Sequence, residues 1–152
     1  MKAFFKFIII LLPWFLSSFI PIDKTYYNSL TLPFFTPPPI AYGIIWSIIY
    51  IGISISIYQI LNTKKRKDIP NSYKYTLFIN YLANQSFQPI FFLLKNTFLS
   101  FISCIATFLT SLFLYKETKD QKESSAKFLI IYILFSLFAS ILSLAIYLLN
   151  LN

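Results

Sequence analysis

Two sets of side chains have types and spacing that could do chemistry. Asn80, Asn84 and Gln88 recur every four residues, with Gln85 beside them, so on a helix they form one stripe. Neutral amides in apolar surroundings offer directional hydrogen bonds, either between helices at about 0.6 to 2 kcal/mol each or to a ligand. The second set is aromatic. Tyr42, Trp46 and Tyr50 share one helical face, as do Phe87 with Phe91 and Phe128 with Tyr132 and Phe135. Rings that face lipid need no further role. Gathered on three helices beside an apolar loop, they can line a pocket for a large, flat, apolar ligand.

Other chemistries lack their residues. The chain has no His and one Cys, so a protein-built metal site is not expected. Cys104 sits in an apolar run, can form no internal disulfide and is expected to pack. No Asp, Glu, Lys, Arg or His lies between Lys24 and Lys64, Lys74 and Lys95, or Lys95 and Lys116, nor after Lys127. Ion pumps, proton-coupled exporters and intramembrane hydrolases mostly need such a group at depth. No catalytic residues are expected, and the chain does not read as an enzyme. The net charge of +8 comes without a basic patch interleaved with exposed aromatics, so nucleic acid is not an expected partner.

The charge-free intervals also define the elements that must position these residues. Of 152 residues 57% are apolar and 12% charged, against about a quarter charged in a soluble domain. A helix crosses the hydrocarbon in about 20 residues. The intervals predict an all-α membrane protein, a bundle of five transmembrane helices over about 3–21, 39–61, 72–93, 98–115 and 125–149, forming one domain over 1–152. Two glycines and unbroken runs such as Phe128 to Leu149 argue against a barrel. The first span resembles a signal peptide, but Pro21 and Ile22 follow it instead of a small-residue cleavage site, so a retained helix is expected. Four of the eight prolines crowd the apolar loop 22–38 and its junction with the second helix, and Pro39 suits a first turn. Pro89 should remove a backbone hydrogen bond and kink the third helix. Ser100, Ser103, Thr107 and Ser111 form a small-residue stripe suited to close helix packing, and Gly43 with Ser47 has small-xxx-small spacing. With five spans, eleven basic residues fall on the side of the N-terminus and two, Lys24 and Lys95, on the other. In a bacterial-type inner membrane that bias places the N-terminus in the cytoplasm.

A longer pattern carries a resemblance. Tyr26-Tyr27, Leu30, Pro33, Phe35-Thr36-Pro37-Pro38, Tyr42, Trp46-Ser47 and Tyr50 resemble the first-loop and second-helix signature of the TspO/MBR family, the tryptophan-rich sensory proteins that include mitochondrial translocator protein. Asn84, Phe87, Pro89, Phe91 and Phe92 are similar to its third-helix motif. Tyr132, Phe135, Phe138-Ala139, Leu142, Tyr147 and Asn150 are similar to its last helix. The likeness spans roughly residues 23–150.

The resemblance implies a five-helix bundle, usually a homodimer, whose first loop covers a pocket for tetrapyrroles such as protoporphyrin or haem, or for sterols and other apolar aromatic ligands. It implies a sensor or carrier with no tightly bound cofactor. Tyr27 and Pro37 would belong to the lid, Tyr42, Trp46 and Tyr50 to one wall, Asn84 and Phe87 to the opposite wall, and Phe135 and Ala139 to the floor. Among the amides, Asn84 is therefore read as a ligand contact, Asn80 and Gln88 as interhelical bonds. This chain departs from the family by having Tyr26, Phe35, Ile40, Phe87, Phe135 and Tyr147 where Trp is common. It also has no Lys or Arg after Tyr147, so the cholesterol-recognition pattern is absent. Two alternatives stand beside this reading: a membrane assembly or chaperone subunit with a vestigial pocket, and a porphyrin photo-oxidation catalyst.

Overall fold

Prolines and short polar side chains set the ends of several elements in the computed structural model, which describes residues 2–151 without the side chains of Lys2 and Arg66. Helix α1, Lys2–Leu11, tightens into a 3₁₀ helix over Leu12–Phe19. Pro13 lies at that change, where its ring removes a donor and crowds the preceding turn. The expected uninterrupted first helix is therefore two kinds of helix. The loop that follows contains α2, Lys24–Ser29, whose first turn is capped by the Asp23 carboxylate accepting from Tyr26 N–H at 2.9 Å. Residues preceding Pro33, Pro37 and Pro38 are held out of the helical region, so the chain stays irregular until α3, Pro39–Thr63, starts on its first-turn proline.

A 3₁₀ turn at Arg66–Asp68 leads to α4, Asn71–Gln88, which continues from Pro89 to Leu93 as a π-helix. The expected loss of a hydrogen bond at Pro89 thus takes the form of a wider turn, with Leu94 N–H donating to the Pro89 carbonyl at 3.1 Å. Lys95, at φ 52°, reverses the chain. Asn96 then caps α5, Thr97–Gln121, accepting from Leu99 N–H at 2.9 Å. Here the expected boundaries shift. Helix α5 runs six residues past 115, and the gap left between the expected fourth and fifth helices shrinks to a break at Lys122 before the short α6, Glu123–Ala126. A 3₁₀ turn, Lys127–Leu129, joins α6 to α7, Ile130–Leu149. The polar run Lys116–Gln121 continues the helix because Lys, Glu and Gln favour it wherever the backbone is unobstructed.

Among the described residues the structure is all-helical. Three helical segments are long and apolar enough to cross a membrane, Pro39–Thr63, Thr97–Gln121 and Glu123–Leu149, while Ala3–Phe19 is apolar but shorter. Helix α5 packs between α4 and α7 through its small-residue stripe: Ser100, Ser103, Thr107 and Ser111 are all buried. Ser103 Oγ donates to the Ala83 carbonyl at 3.1 Å and lies 2.8 Å from Ser86 Oγ, as close backbones allow. Gly52 marks another close approach, since a Cβ there would lie 2.9 Å from the Phe128 carbonyl oxygen.

The two ends of the bundle differ in charge. Lys6 Nζ donates to the Leu61 carbonyl at 3.0 Å and to Asn62 Oδ1 at 2.6 Å. Lys64 Nζ donates to Gln121 Oε1 at 2.7 Å and Ser72 Oγ to Glu117 Oε2 at 2.9 Å. These contacts bring the start of α1, the turn after α3 and the end of α5 together. At the opposite end Lys95 pairs with Asp23 at 2.8 Å. Between the ends the outer surface is apolar, with Phe4, Phe78, Phe113 and Leu134 all exposed.

Candidate aromatic ligand site

The candidate site is built where α3, α4 and α7 face one another beneath the first loop. Trp46 of α3 is half-buried and has aromatic neighbours on two helices. Its ring lies 5.6 Å from Tyr50 and 5.4 Å, edge to face, from Phe135, with Tyr132 at 6.3 Å. Tyr50 also contacts Trp14 at 5.9 Å and Phe15 at 5.2 Å. These spacings are those of favourable aromatic pairs.

A second cluster lies under the loop. Tyr26, Tyr27, Leu30, Leu32 and Phe35 pack with Tyr42, Phe87, Phe92 and Phe138 around buried Phe91, Leu142 and Ile146. Phe87 stacks on Phe91 at 5.4 Å, and Tyr26 meets Phe91 at 5.6 Å. The two clusters meet on α7, where Phe135 and Phe138 stack at 5.7 Å. Phe138 in turn touches Phe35 of the loop at 6.3 Å. The structure therefore divides the residues singled out in sequence. Trp46, Tyr50 and Phe135 share the inner cluster; Tyr27, Tyr42 and Phe87 share the outer one. Pro37 and Ala139 are half-buried.

Asn84, also buried, supplies the polar feature. Its Oδ1 accepts from Tyr50 OH at 3.1 Å and from Gln85 Nε2 at 3.0 Å. The Asn84 amide also lies within hydrogen-bonding reach of the Tyr132 hydroxyl. Gln85 has a different task. Its Nε2 also donates to the Trp14 carbonyl at 3.1 Å, and its Oε1 accepts from Ser17 N–H at 2.8 Å. It thus satisfies backbone groups of the 3₁₀ segment and ties that segment to α4. Asn80 joins three helices: Oδ1 accepts from Tyr132 OH at 3.0 Å, while Nδ2 donates to the Thr107 carbonyl at 3.3 Å and Thr110 Oγ1 at 2.9 Å. The interhelical role expected of Asn80 is present. That expected of Gln88 is not, because its Oε1 is buried without a partner among the described residues. The nearby Ser100 and Ser103 hydroxyls donate to carbonyls instead.

The loop is fastened at two points. Asp23 Oδ2 pairs with Lys95 Nζ at 2.8 Å, and the same ammonium sits 5.6 Å above the Tyr26 ring. The hydrogen bond from Lys95, followed by that from Tyr26 N–H, holds the Asp23 carboxyl below its ordinary value. Burial pushes the Tyr26 and Tyr27 phenols upward. Farther along, Thr31 N–H donates to Asn150 Oδ1 at 2.9 Å while Asn150 Nδ2 donates to the Thr31 carbonyl at 3.0 Å.

Sequence reasoning missed Trp14 as a structural neighbour of the site, and it missed the tie made by Gln85. An aromatic in the first span and a second amide beside Asn84 were the available signals. Periodicity alone cannot say which helix such a residue faces. Among the described residues no cluster of three His, Cys, Asp or Glu could hold a metal.

Comparison with known proteins bears on the same stretch of chain. Residues 6–149 match the sequence model of the TspO/MBR family. The chain is 36% identical over 130 residues to the tryptophan-rich protein TspO of Bacillus cereus, covering 86% of this chain and 84% of that relative. It is 36% identical over 134 residues to the uncharacterized membrane protein YtaB of Bacillus subtilis, with the same coverages. To the tryptophan-rich protein TspO of Archaeoglobus fulgidus it is 32% identical over 131 residues, 84% of this chain and 81% of that relative. With its apolar helices, its aromatic clusters beneath the first loop and these matches, this chain belongs to the TspO/MBR family of membrane proteins.

Proposed function

We propose that this protein crosses the membrane five times and binds a tetrapyrrole, or a ligand of similar flat apolar chemistry, between α3, α4 and α7, as a sensor or carrier and not as an enzyme. The two further spans would be Lys2–Phe19 and Asn71–Leu93. The N-terminus would face the cytoplasm, with the basic end of the bundle, and the working form would be a homodimer. One observation carries the reading. Half-buried Trp46 lies among Tyr50, Tyr132 and Phe135, and Tyr50 links this cluster to the buried amide of Asn84.

The residues fit a tetrapyrrole of a particular kind. Ring faces at Trp46 and Phe135 suit stacking, and the Asn84 amide could turn a donor to a carboxylate or carbonyl on the ligand rim. Axial ligation has little to draw on. The chain has no His, Cys104 is buried, and the Tyr50 and Tyr132 hydroxyls already donate to Asn84 and Asn80. The ligand would therefore be held by stacking, shape and hydrogen bonds, and the loop would close over it.

The test is a titration with protoporphyrin. Trp14 and Trp46 are the two tryptophans, so a Trp14→Phe variant reports Trp46 alone. Its emission should be quenched as the site fills, and Trp46→Ala should weaken binding by about 1 to 3 kcal/mol, the scale of base stacking on aromatics. Unchanged emission at saturating ligand, or unchanged affinity of Trp46→Ala, refutes the site.

A further inference from the structure

The basic end of the bundle carries a cleft remote from the aromatic site. It has a volume of about 530 Å³ and lies between α1, α3 and α4, within the range of small-molecule sites. Ile57 and Leu61 of α3, Ile69, and Tyr73 and Leu77 of α4 make its walls apolar. Lys6 and Lys74, both half-buried, complete the lining. Lys6 uses two of its three N–H bonds, on the Leu61 carbonyl and Asn62 Oδ1. Lys74 uses one, a 3.3 Å bond to Asn71 Oδ1. Lys6 Nζ also lies 5.6 Å from the centre of the Tyr58 ring, so the donors left for a ligand are chiefly the two of Lys74.

Neither cation is paired with a carboxylate, since the ion pair found among the described residues joins Lys95 to Asp23 at the other end. Of the acidic groups at this end, Asp68 is exposed on its turn and Glu117 accepts from Ser72. Lys64, Lys65, Lys67, Lys116, Lys119 and Lys122 crowd the same end. An apolar groove bearing two unpaired ammonium groups complements a molecule with an alkyl chain and an anionic head. A free anion would leave the groove walls unused. A zwitterionic lipid would offer the two lysines no net charge.

We propose that this cleft holds one anionic phospholipid, its phosphate between Lys6 and Lys74 and an acyl chain along Ile57, Leu61 and Leu77, independently of any ligand in the aromatic site. Basic pockets between membrane helices bind such head groups. The full-length protein in detergent micelles, given equal phosphatidylglycerol and phosphatidylcholine of identical chains and read by native mass spectrometry, provides the test. One phosphatidylglycerol should be retained with a preference of roughly 30-fold, the scale that two interfacial lysines supply. Lys6→Gln with Lys74→Gln should equalise the two lipids, and Lys74→Gln alone should lower the preference. Leu77→Trp, which fills the groove and leaves both lysines, should reduce retention. Lys119→Gln, at the same end but outside the cleft, should change nothing. Equal retention of the two lipids by the unaltered protein overturns the proposal. So does displacement by equimolar inorganic phosphate, which would make this a free-anion site, or a Lys119→Gln effect as large as that of Lys74→Gln, which would make the attraction diffuse.

Discussion

Replacing Asn80 with leucine tests whether a single side chain fastens α4, α5 and α7. Asn80 is fully buried and makes three interhelical bonds, to Tyr132 OH, the Thr107 carbonyl and Thr110 Oγ1. Leucine has a similar shape, so the cavity left is small and the lost polar contacts dominate. At the membrane-protein average of about 0.6 kcal/mol each, three bonds amount to roughly 2 kcal/mol. The Tyr132 hydroxyl, itself fully buried, then has no acceptor, at about 1 to 3 kcal/mol. These two contributions overlap at the Tyr132 bond, so the expected loss for Asn80→Leu is roughly 2 to 4 kcal/mol. Tyr132→Phe alone breaks one bond and should cost about 0.6 to 1.7 kcal/mol. In the Asn80→Leu background the same change removes an orphaned hydroxyl and should restore stability. The double-mutant cycle should therefore give a coupling of about 2 kcal/mol or more. Reversible unfolding in mixed micelles, followed by far-UV circular dichroism as the denaturing detergent fraction rises, measures it. Costs that add to within about 0.5 kcal/mol would refute the network.

Three further outcomes follow from the same structure. Gly52→Ala should destabilise by about 1 to 3 kcal/mol, because its Cβ meets a backbone carbonyl that cannot swing aside. Gly43→Ala, which meets nothing within 4 Å, should be neutral or slightly stabilising; equal effects in a melting comparison would refute the close approach at Gly52. The Asp23–Lys95 pair should fasten the loop with a defined pH dependence. Asp23 is depressed below 3.8 in the folded protein, so the pair's contribution is fully present above that value and is lost as pH falls through the lower folded value. Hydrogen exchange of residues 24–38 should thus lose protection in acid, whereas Asp23→Asn should show lower protection with little of that pH dependence. If both proteins respond alike, the pair does not fasten the loop. Protoporphyrin should bind about as tightly as haem, since the site offers shape and ring faces without axial ligands; a haem spectrum showing strong axial ligation, with weak protoporphyrin binding, contradicts this.

Much of the bundle was legible because the signals are local. The charge-free runs located the apolar helices, and the stripe Ser100, Ser103, Thr107 and Ser111 marked the packed face of α5 because small side chains at helical spacing leave little else to do. Element ends were less legible. Lys116–Gln121 reads as a loop by polarity yet stays helical because nothing in it stops a helix, and Pro13 changes the first span's geometry without ending it. The candidate site was legible as a set of aromatic and amide residues, and its partition was not. Tyr42, Trp46 and Tyr50 share a helical face, but one turn of rise separates each from the next. That is enough to put Tyr42 beneath the loop and Tyr50 against Trp14.

By itself the sequence determined the solvent this chain is built for, its helical class, and where its Asp, Glu, Lys and Arg side chains fall. Those properties depend on composition and on spacing within one helix. Only the tertiary structure decided which groups each amide meets. Asn80 and Asn84 are one turn apart and chemically identical, but Asn80 meets Tyr132, Thr107 and Thr110 on two other helices while Asn84 meets Tyr50 and its neighbour Gln85. Hydrogen-bond satisfaction depends on groups distant in the chain, and their positions follow from how the helices pack.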